Sequence, residues 1–296
     1  MNSLRRLFTI FKETVFGWSS NDAMLHAAGI AFYTIFSLTP LVVISVNIAG
    51  QVFDPGTVEW RIVAGVEKRA GEPAAAFIQD IILGPADAMS SQVATGIGLI
   101  LLIYAASSAI LQLQASLEAM WGIVPRTDTV RQSVLSIVFS RVVSGAVVLA
   151  IGYFVLSSLV ISTLWSAGLQ AAVDTAAPWL GRLEPALRTW TSPLLYWALF
   201  ALVFKALPRA TIRWRDVLPG AALTALLYWF GNYLISQYLA YSLFSSIYGA
   251  ASSVMVFLLW VYYSALIILF GAKFTQVFAQ RIGVPMVPDR RMMLRS

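Results

Sequence analysis

The residues with the strongest chemistry in this chain are few. His26 is the only histidine, Asp22 precedes it by four residues, and Glu118 directly follows an apolar stretch. Imidazole titrates near neutrality, so Asp22, His26 and Glu118 are the candidates for a proton relay, with an interface histidine of no special role as the alternative. A lone histidine cannot build a metal site when sulfur partners are absent, and no Ser or Cys nucleophile stands at motif spacing from it. The chain contains no cysteine, which excludes disulfides, thiolate metal sites and thiol catalysis. No cofactor and no metal are expected.

A second set of residues is polar without being charged. Asp22, His26, Gly29, Tyr33, Ser37, Pro40 and Asn47 fall within an arc of about 80° on one helix at about 100° per residue. Thr224, Tyr228, Asn232 and Ser236 repeat every fourth residue on another, where Gly220 and Gly231 permit close approach. Gly249, Ser253, Trp260, Ser264, Gly271 and Thr275 share a comparable arc on a third. Ser107, Ser108, Gln112, Gln114, Ser116 and Glu118 make one further segment polar. Such groups are costly in hydrocarbon, so they face a bundle interior or a wet cavity, either lining it or serving helix packing. Tyr33, Ser37, Pro40, Asn47, Tyr228, Asn232, Ser253 and Trp260 are the candidate cavity lining. Pro40 is expected to kink its helix, with Ser37 helping to satisfy the freed carbonyl.

Six apolar runs position these residues: Ala27–Gly50, Ala94–Leu117, Ile137–Leu164, Trp190–Leu207, Val217–Leu239 and Ala250–Ala272. Each is near or above the roughly 20 residues that cross a hydrocarbon core as helix. Hydrophobic residues make up 59% of the chain and charged residues 11%, a balance outside the usual soluble range. The expected fold is all-α, a polytopic membrane protein with a six-transmembrane-helix bundle over residues 27–280. Residues 1–26 form a cytoplasmic interfacial segment, and 281–296 a basic cytoplasmic tail.

Basic residues set the orientation. Arg5, Arg6, Lys12, Arg126, Arg131, Arg141, Lys205, Arg209, Arg213, Arg215, Lys273, Arg281, Arg290, Arg291 and Arg295 fall on one side, against Arg61, Lys68, Arg69, Arg182 and Arg188 on the other. Both termini are therefore predicted to be cytoplasmic. The same alternation accounts for the net charge of +6 without a nucleic-acid groove, so no nucleic acid is expected as partner. The first apolar core lacks a small-residue cleavage site and reads as a retained signal anchor.

Outside the spans, Leu4, Leu7, Phe8, Phe11 and Val15 alternate with Arg5, Arg6, Lys12 and Glu13 at helical spacing. That pattern predicts a helix over residues 3–16 lying in the membrane interface, with a partner-docking helix as the competing idea. The connection Gln51–Val93 is too long for a turn. Ala74, Phe77, Ile78, Ile81 and Ile82 share one face there, which predicts one or two amphipathic helices on the outer surface. Trp18, Trp121 and Trp214, with Trp165, Trp179 and Trp190 at the opposite ends, read as aromatic belts. The tail after Arg281, with Pro285 and Pro288 among basic residues, reads as disordered.

Four blocks together resemble the YihY/virulence factor BrkB family, formerly labelled ribonuclease BN. They are Ala31–Val42 (AFYTIFSLTPLV), Ser116–Val124 (SLEAMWGIV), Leu207–Tyr228 (LPRATIRWRDVLPGAALTALLY) and Tyr248–Thr275 (YGAASSVMVFLLWVYYSALIILFGAKFT). The resemblance implies six helices, cytoplasmic ends and a bacterial cell inner membrane. It also implies an acidic residue where this chain has Lys273, within Gly271-Ala272-Lys273-Phe274. A carboxylate binding a proton or cation there would be missing from this chain, unless position 273 is simply an interface site from which Lys snorkels. The ribonuclease label finds no support in the residues, since nuclease chemistry needs clustered carboxylates or an acid–base pair.

The expected function is that of a non-enzymatic, transporter-like bundle handling a lipid or lipid-like amphiphile in envelope maintenance, with membrane lipids as partners. A cation/proton antiporter using Asp22, His26 and Glu118 is the second reading. The third is a non-transporting anchor for envelope machinery, binding a protein partner through Gln51–Val93.

Overall fold

A computed structural model describes residues 3–50, 55–70, 72–83, 92–125, 184–241, 252–288 and 292–294. Eight helices carry most of these: α1 Ser3–Ser20, α2 Ala23–Gly50, α3 Pro55–Ala70, α4 Glu72–Leu83, α5 Gln92–Met120, α6 Glu184–Ala206, α7 Trp214–Tyr241 and α8 Ser252–Arg281. Five of the six apolar runs coincide with α2, α5, α6, α7 and α8. The third, Ile137–Leu164, lies outside the described residues. At 1.5 Å per residue the 28-residue α7 is about 42 Å long, more than a ~30 Å hydrocarbon core requires. Among the described residues, Trp214–Ile235 and Val254–Arg281 are long and apolar enough to cross a membrane, by length and composition.

The amphipathic helices expected in the first connection are α3 and α4. They pack on each other and onto α2 and α8, with Ala75 and Ile78 buried and Phe77 against Phe257 at 5.8 Å. The α8 helix is the hub, touching α1, α2, α4, α5 and α7. Toward its C-terminal half it joins a core of Ala27, Leu117, Trp121, Phe204, Val217 and Leu269. Nearer its start Val256, Phe257 and Val261 close around Ala31.

The contact between α7 and α8 is reciprocal. Gly220 and Thr224, one turn apart on α7, face Thr275 and Gly271, one turn apart on α8. A Cβ at Gly220 would overlap the Thr275 hydroxyl, and one at Gly271 the Thr224 hydroxyl. Each threonine donates back into its own helix, Thr224 to Gly220 O at 2.7 Å and Thr275 to Gly271 O at 2.8 Å. With both hydroxyls satisfied internally, the helices approach through small residues with nothing left to desolvate.

Several expectations need correction. Asp22 does not share the α2 stripe, because it occupies the turn between α1 and α2 with φ 51°, a left-handed position that Asp tolerates better than most residues. The Ser37 hydroxyl donates to Thr34 O at 2.9 Å rather than to the carbonyl that Pro40 leaves free. The tail is not disordered throughout. Two strand pairs form at the α1 end of the bundle: β1 (Ile123–Pro125) with β4 (Met292–Leu294), and β2 (Ala210–Thr211) with β3 (Val287–Pro288). Both are antiparallel, so an otherwise all-α fold carries two small ladders.

Candidate functional site

Asn21, Lys273 and Gln276 converge where α5 ends. A helix C-terminus leaves its last carbonyls without intrahelical donors, and here side chains from two other elements supply them. Asn21 Nδ2, from the turn after α1, donates to Ala119 O at 2.9 Å and to Met120 O at 3.3 Å. Lys273 Nζ, from α8, donates to Met120 O at 3.1 Å, and Gln276 Nε2 to Trp121 O at 3.2 Å. Gly122, at φ 69°, supplies the left-handed residue that ends the helix, with its N–H on Ala119 O. Trp121 answers in the other direction, its indole N–H donating to Ala272 O at 2.9 Å.

Lys273 is therefore not a snorkelling residue. It is buried, its ammonium turned into the negative end of the α5 dipole, and its stem crosses Gly17, where any side chain would collide with Lys273 Cε. A carboxylate at this position has only acceptors to offer to a carbonyl oxygen. Trp121 is likewise not a belt residue, being fully buried, whereas Trp214 is half exposed beneath the Lys205 ammonium at 5.9 Å.

Glu118 and Ser116 are separated by about 200° around α5 and face different neighbours. Glu118 is buried and takes a fork from Arg209: the backbone N at 3.0 Å and Nε at 2.9 Å on Oε1, with Nη2 at 2.9 Å on Oε2. Gln114 Nε2 adds a fourth donor at 3.2 Å. The guanidinium side chain is 47% exposed, so the pair sits at the rim of the core. Nearby, Lys205 Nζ donates to Ile212 O, and buried Asp216 accepts from Val284 N at 3.4 Å. Helix ends and tail are thus stitched together by charge-assisted bonds.

The three relay candidates are not joined by this network. His26 Nδ1 meets Ser116 Oγ at 3.3 Å, and that hydroxyl donates to Gln112 O at 2.7 Å. Glu118 points to Arg209 instead, and Asp22 is exposed. Of the candidate cavity residues, Asn232 Oδ1 accepts from Trp260 Nε1 at 3.2 Å, tying α7 to α8. Tyr228 packs edge-on against Tyr196 at 4.9 Å and Phe200 at 5.6 Å. Ser37 is buried, while Tyr33 lies at the exposed surface of α2. Pro40, Asn47 and Ser253 have side chains outside the described residues.

Two open hollows lie along α1 and its turn rather than at these residues. One is lined by Trp18, Ser19, Asp22, Ala23, Met24 and Leu25, the other by Phe8, Thr9, Lys12, Glu13 and Phe16. Among the described residues no group of three His, Asp or Glu side chains is placed to hold a metal ion. Asn21, Trp121, Arg209, Asp216 and Gln276 are the cluster members that sequence reasoning missed as such. The one signal was that Trp121, Arg209 and Asp216 fall inside the blocks that carry the family resemblance.

The sequence pattern of the family described as Virulence factor BrkB matches residues 15–292. A UPF0761 membrane protein of Cronobacter sakazakii is 26% identical over 86% of this chain and 83% of its own length. One from Mannheimia succiniciproducens is 24% identical over 94% and 91%. Another, from Tolumonas auensis, is 29% identical over 63% of this chain and 58% of its own. No solved structure matches the chain.

Proposed function

Since the chain belongs to the virulence factor BrkB (YihY) family of membrane proteins, we propose that it moves or presents a lipid or lipid-like amphiphile in the bacterial inner membrane. On this reading its six spans place both termini in the cytoplasm, and it has no enzymatic activity. The observation that carries the reading is the segregation of polarity along the bundle. The buried charged residues among those described, Glu118, Asp216 and Lys273, all lie at the α1 end. Farther along α7 and α8 the interhelical polar groups are an amide, an indole and phenols: Asn232 with Trp260, and Tyr228 among aromatic rings. Outside them α7 exposes Leu226, Trp229, Phe230, Tyr233 and Leu234, an aromatic face suited to acyl chains. A small hydrated ion needs a path of stronger ligands than these, whereas an amphiphile needs weak polar contacts beside an apolar wall.

Photocrosslinking tests this. The reconstituted protein, exposed to a phospholipid with a photoreactive group near its headgroup, should be labelled on α7 and α8 around Tyr228, Asn232 and Trp260. Asn232→Leu should reduce that labelling several-fold. Uniform labelling of all exposed apolar positions, unchanged by the substitution, would speak for ordinary boundary lipid and against the proposal.

The antiporter reading is weaker because Glu118, its buried carboxylate, is occupied by Arg209 and Gln114. The anchor reading draws on α3, whose Trp60 is 69% exposed while α4 holds the pair against the bundle.

A further inference from the structure

The α1 helix has four faces. At about 100° per residue, with Ile10 at zero, Thr14 lies at about 40° and Trp18 at about 80°. This face meets α8: Ile10 and Thr14 are buried, and Trp18 packs edge-on against Phe270 at 6.2 Å. Phe11, Val15 and Phe8 follow at about 100°, about 140° and about 160°. All three are exposed, with Phe11 still reaching Phe270 at 5.9 Å. Lys12, Arg5 and Phe16 come next, at about 200°, about 220° and about 240°. Glu13, at about 300°, and Arg6, at about 320°, complete the circle on the side opposite the apolar face.

This arrangement differs from a simple two-sided amphipathic helix. The apolar face is turned about a quarter circle from the face docked on α8, so α1 lies beside the bundle with Phe8, Phe11 and Val15 available to acyl chains. Arg5 and Lys12 then point sideways, away from the protein, and are exposed. Glu13 does not neutralise them, because it is held by Arg281 in a two-point ion pair, Nε to Oε2 at 3.0 Å and Nη2 to Oε1. The Lys12 ammonium stands 5.9 Å over the Phe16 ring, beside the open hollow of about 480 Å³ lined by Phe8, Thr9, Lys12, Glu13 and Phe16.

We propose that Arg5 and Lys12 on α1 bind the phosphate headgroups of anionic phospholipids, with Phe8, Phe11 and Val15 inserted among the acyl chains below. The charge complementarity selects anionic over zwitterionic lipid, and the exposed aromatic flank selects a lipid over a free anion. The proposal rests on the chain being a membrane protein and stands whichever solute the bundle handles.

Hydrogen exchange on the full-length protein in nanodiscs tests it. At about 1 kcal/mol for each basic residue near an anionic surface, each contributes roughly fivefold to the stability of docked α1. Amides of residues 3–20 should therefore be about 25-fold better protected in phosphatidylglycerol than in phosphatidylcholine. Arg5→Ala with Lys12→Ala should remove that difference, while Arg6→Ala, on the far flank, should keep most of it. These side chains are exposed, so unchanged thermal unfolding in detergent verifies that the variants fold. Equal protection in both lipids would overturn the proposal. So would an Arg6→Ala effect as large as the double substitution, which marks a diffuse charge effect. Equal protection by inorganic phosphate in detergent would identify a free-anion site and overturn it too.

Discussion

Lys273→Glu is expected to destabilise the folded protein by about 3–5 kcal/mol, the cost of a buried charge left without a partner. The new carboxylate would face Met120 O at the negative end of α5, where Lys273 Nζ now donates, and Gly17 leaves it no room to turn outward. Lys273→Met keeps the apolar stem and loses only the charge-assisted bond, for about 1.5–3 kcal/mol. Thermal unfolding in detergent should rank wild type above Met and Met above Glu. If Glu were tolerated as well as Met, the ammonium would not be capping α5. The resemblance that implies an acid at this position thus meets a chain whose own structure uses the opposite charge.

The second large effect lies at the α7–α8 contact. Gly271→Ala should lower stability by about 1–3 kcal/mol through overpacking, despite the better helix propensity of alanine. The three nearest neighbours of the added Cβ belong to the Thr224 side chain, and Thr224→Ala removes Oγ1 and Cγ2 but keeps Cβ at 2.9 Å, so it should restore part of the loss. Gly220→Ala should cost a similar amount and recover less with Thr275→Ala, because the Thr275 Cα itself stands 3.1 Å from the new atom. Unfolding temperatures of the four single and two double variants give both coupling energies. Equal recovery in the two pairs would contradict this packing of α7 on α8.

The sequence made the long helices legible because hydropathy accumulates over the whole length of a span, and made α1 legible because its apolar residues recur at helical spacing. It did not reveal which face of α1 meets the protein. Ile10 and Thr14 dock, while the bulkier Phe8 and Phe11 stay exposed, since an interfacial helix has two apolar environments to choose between. Polar residues at helix ends were the least legible. Trp121 has the composition of a belt residue and the surroundings of a core residue, and hydropathy does not separate these. Glu118 could be singled out by its chemistry, yet its function depends on Arg209, 91 positions later. Asp22 looked helical by spacing because a turn of one or two residues leaves the helical period nearly in phase. The tail looked disordered by composition, whereas strands of two and three residues are specified by the edges they pair with, β1 and β2.

Parallel assays in one set of proteoliposomes decide between an ion and an amphiphile as the solute. Vesicles containing the protein, a headgroup-labelled lipid in one leaflet and an internal pH-sensitive dye should show faster lipid redistribution than protein-free vesicles, and no cation-driven pH change. A cation-driven pH change that disappears in Glu118→Gln, with lipid redistribution no faster than in empty vesicles, would contradict the account.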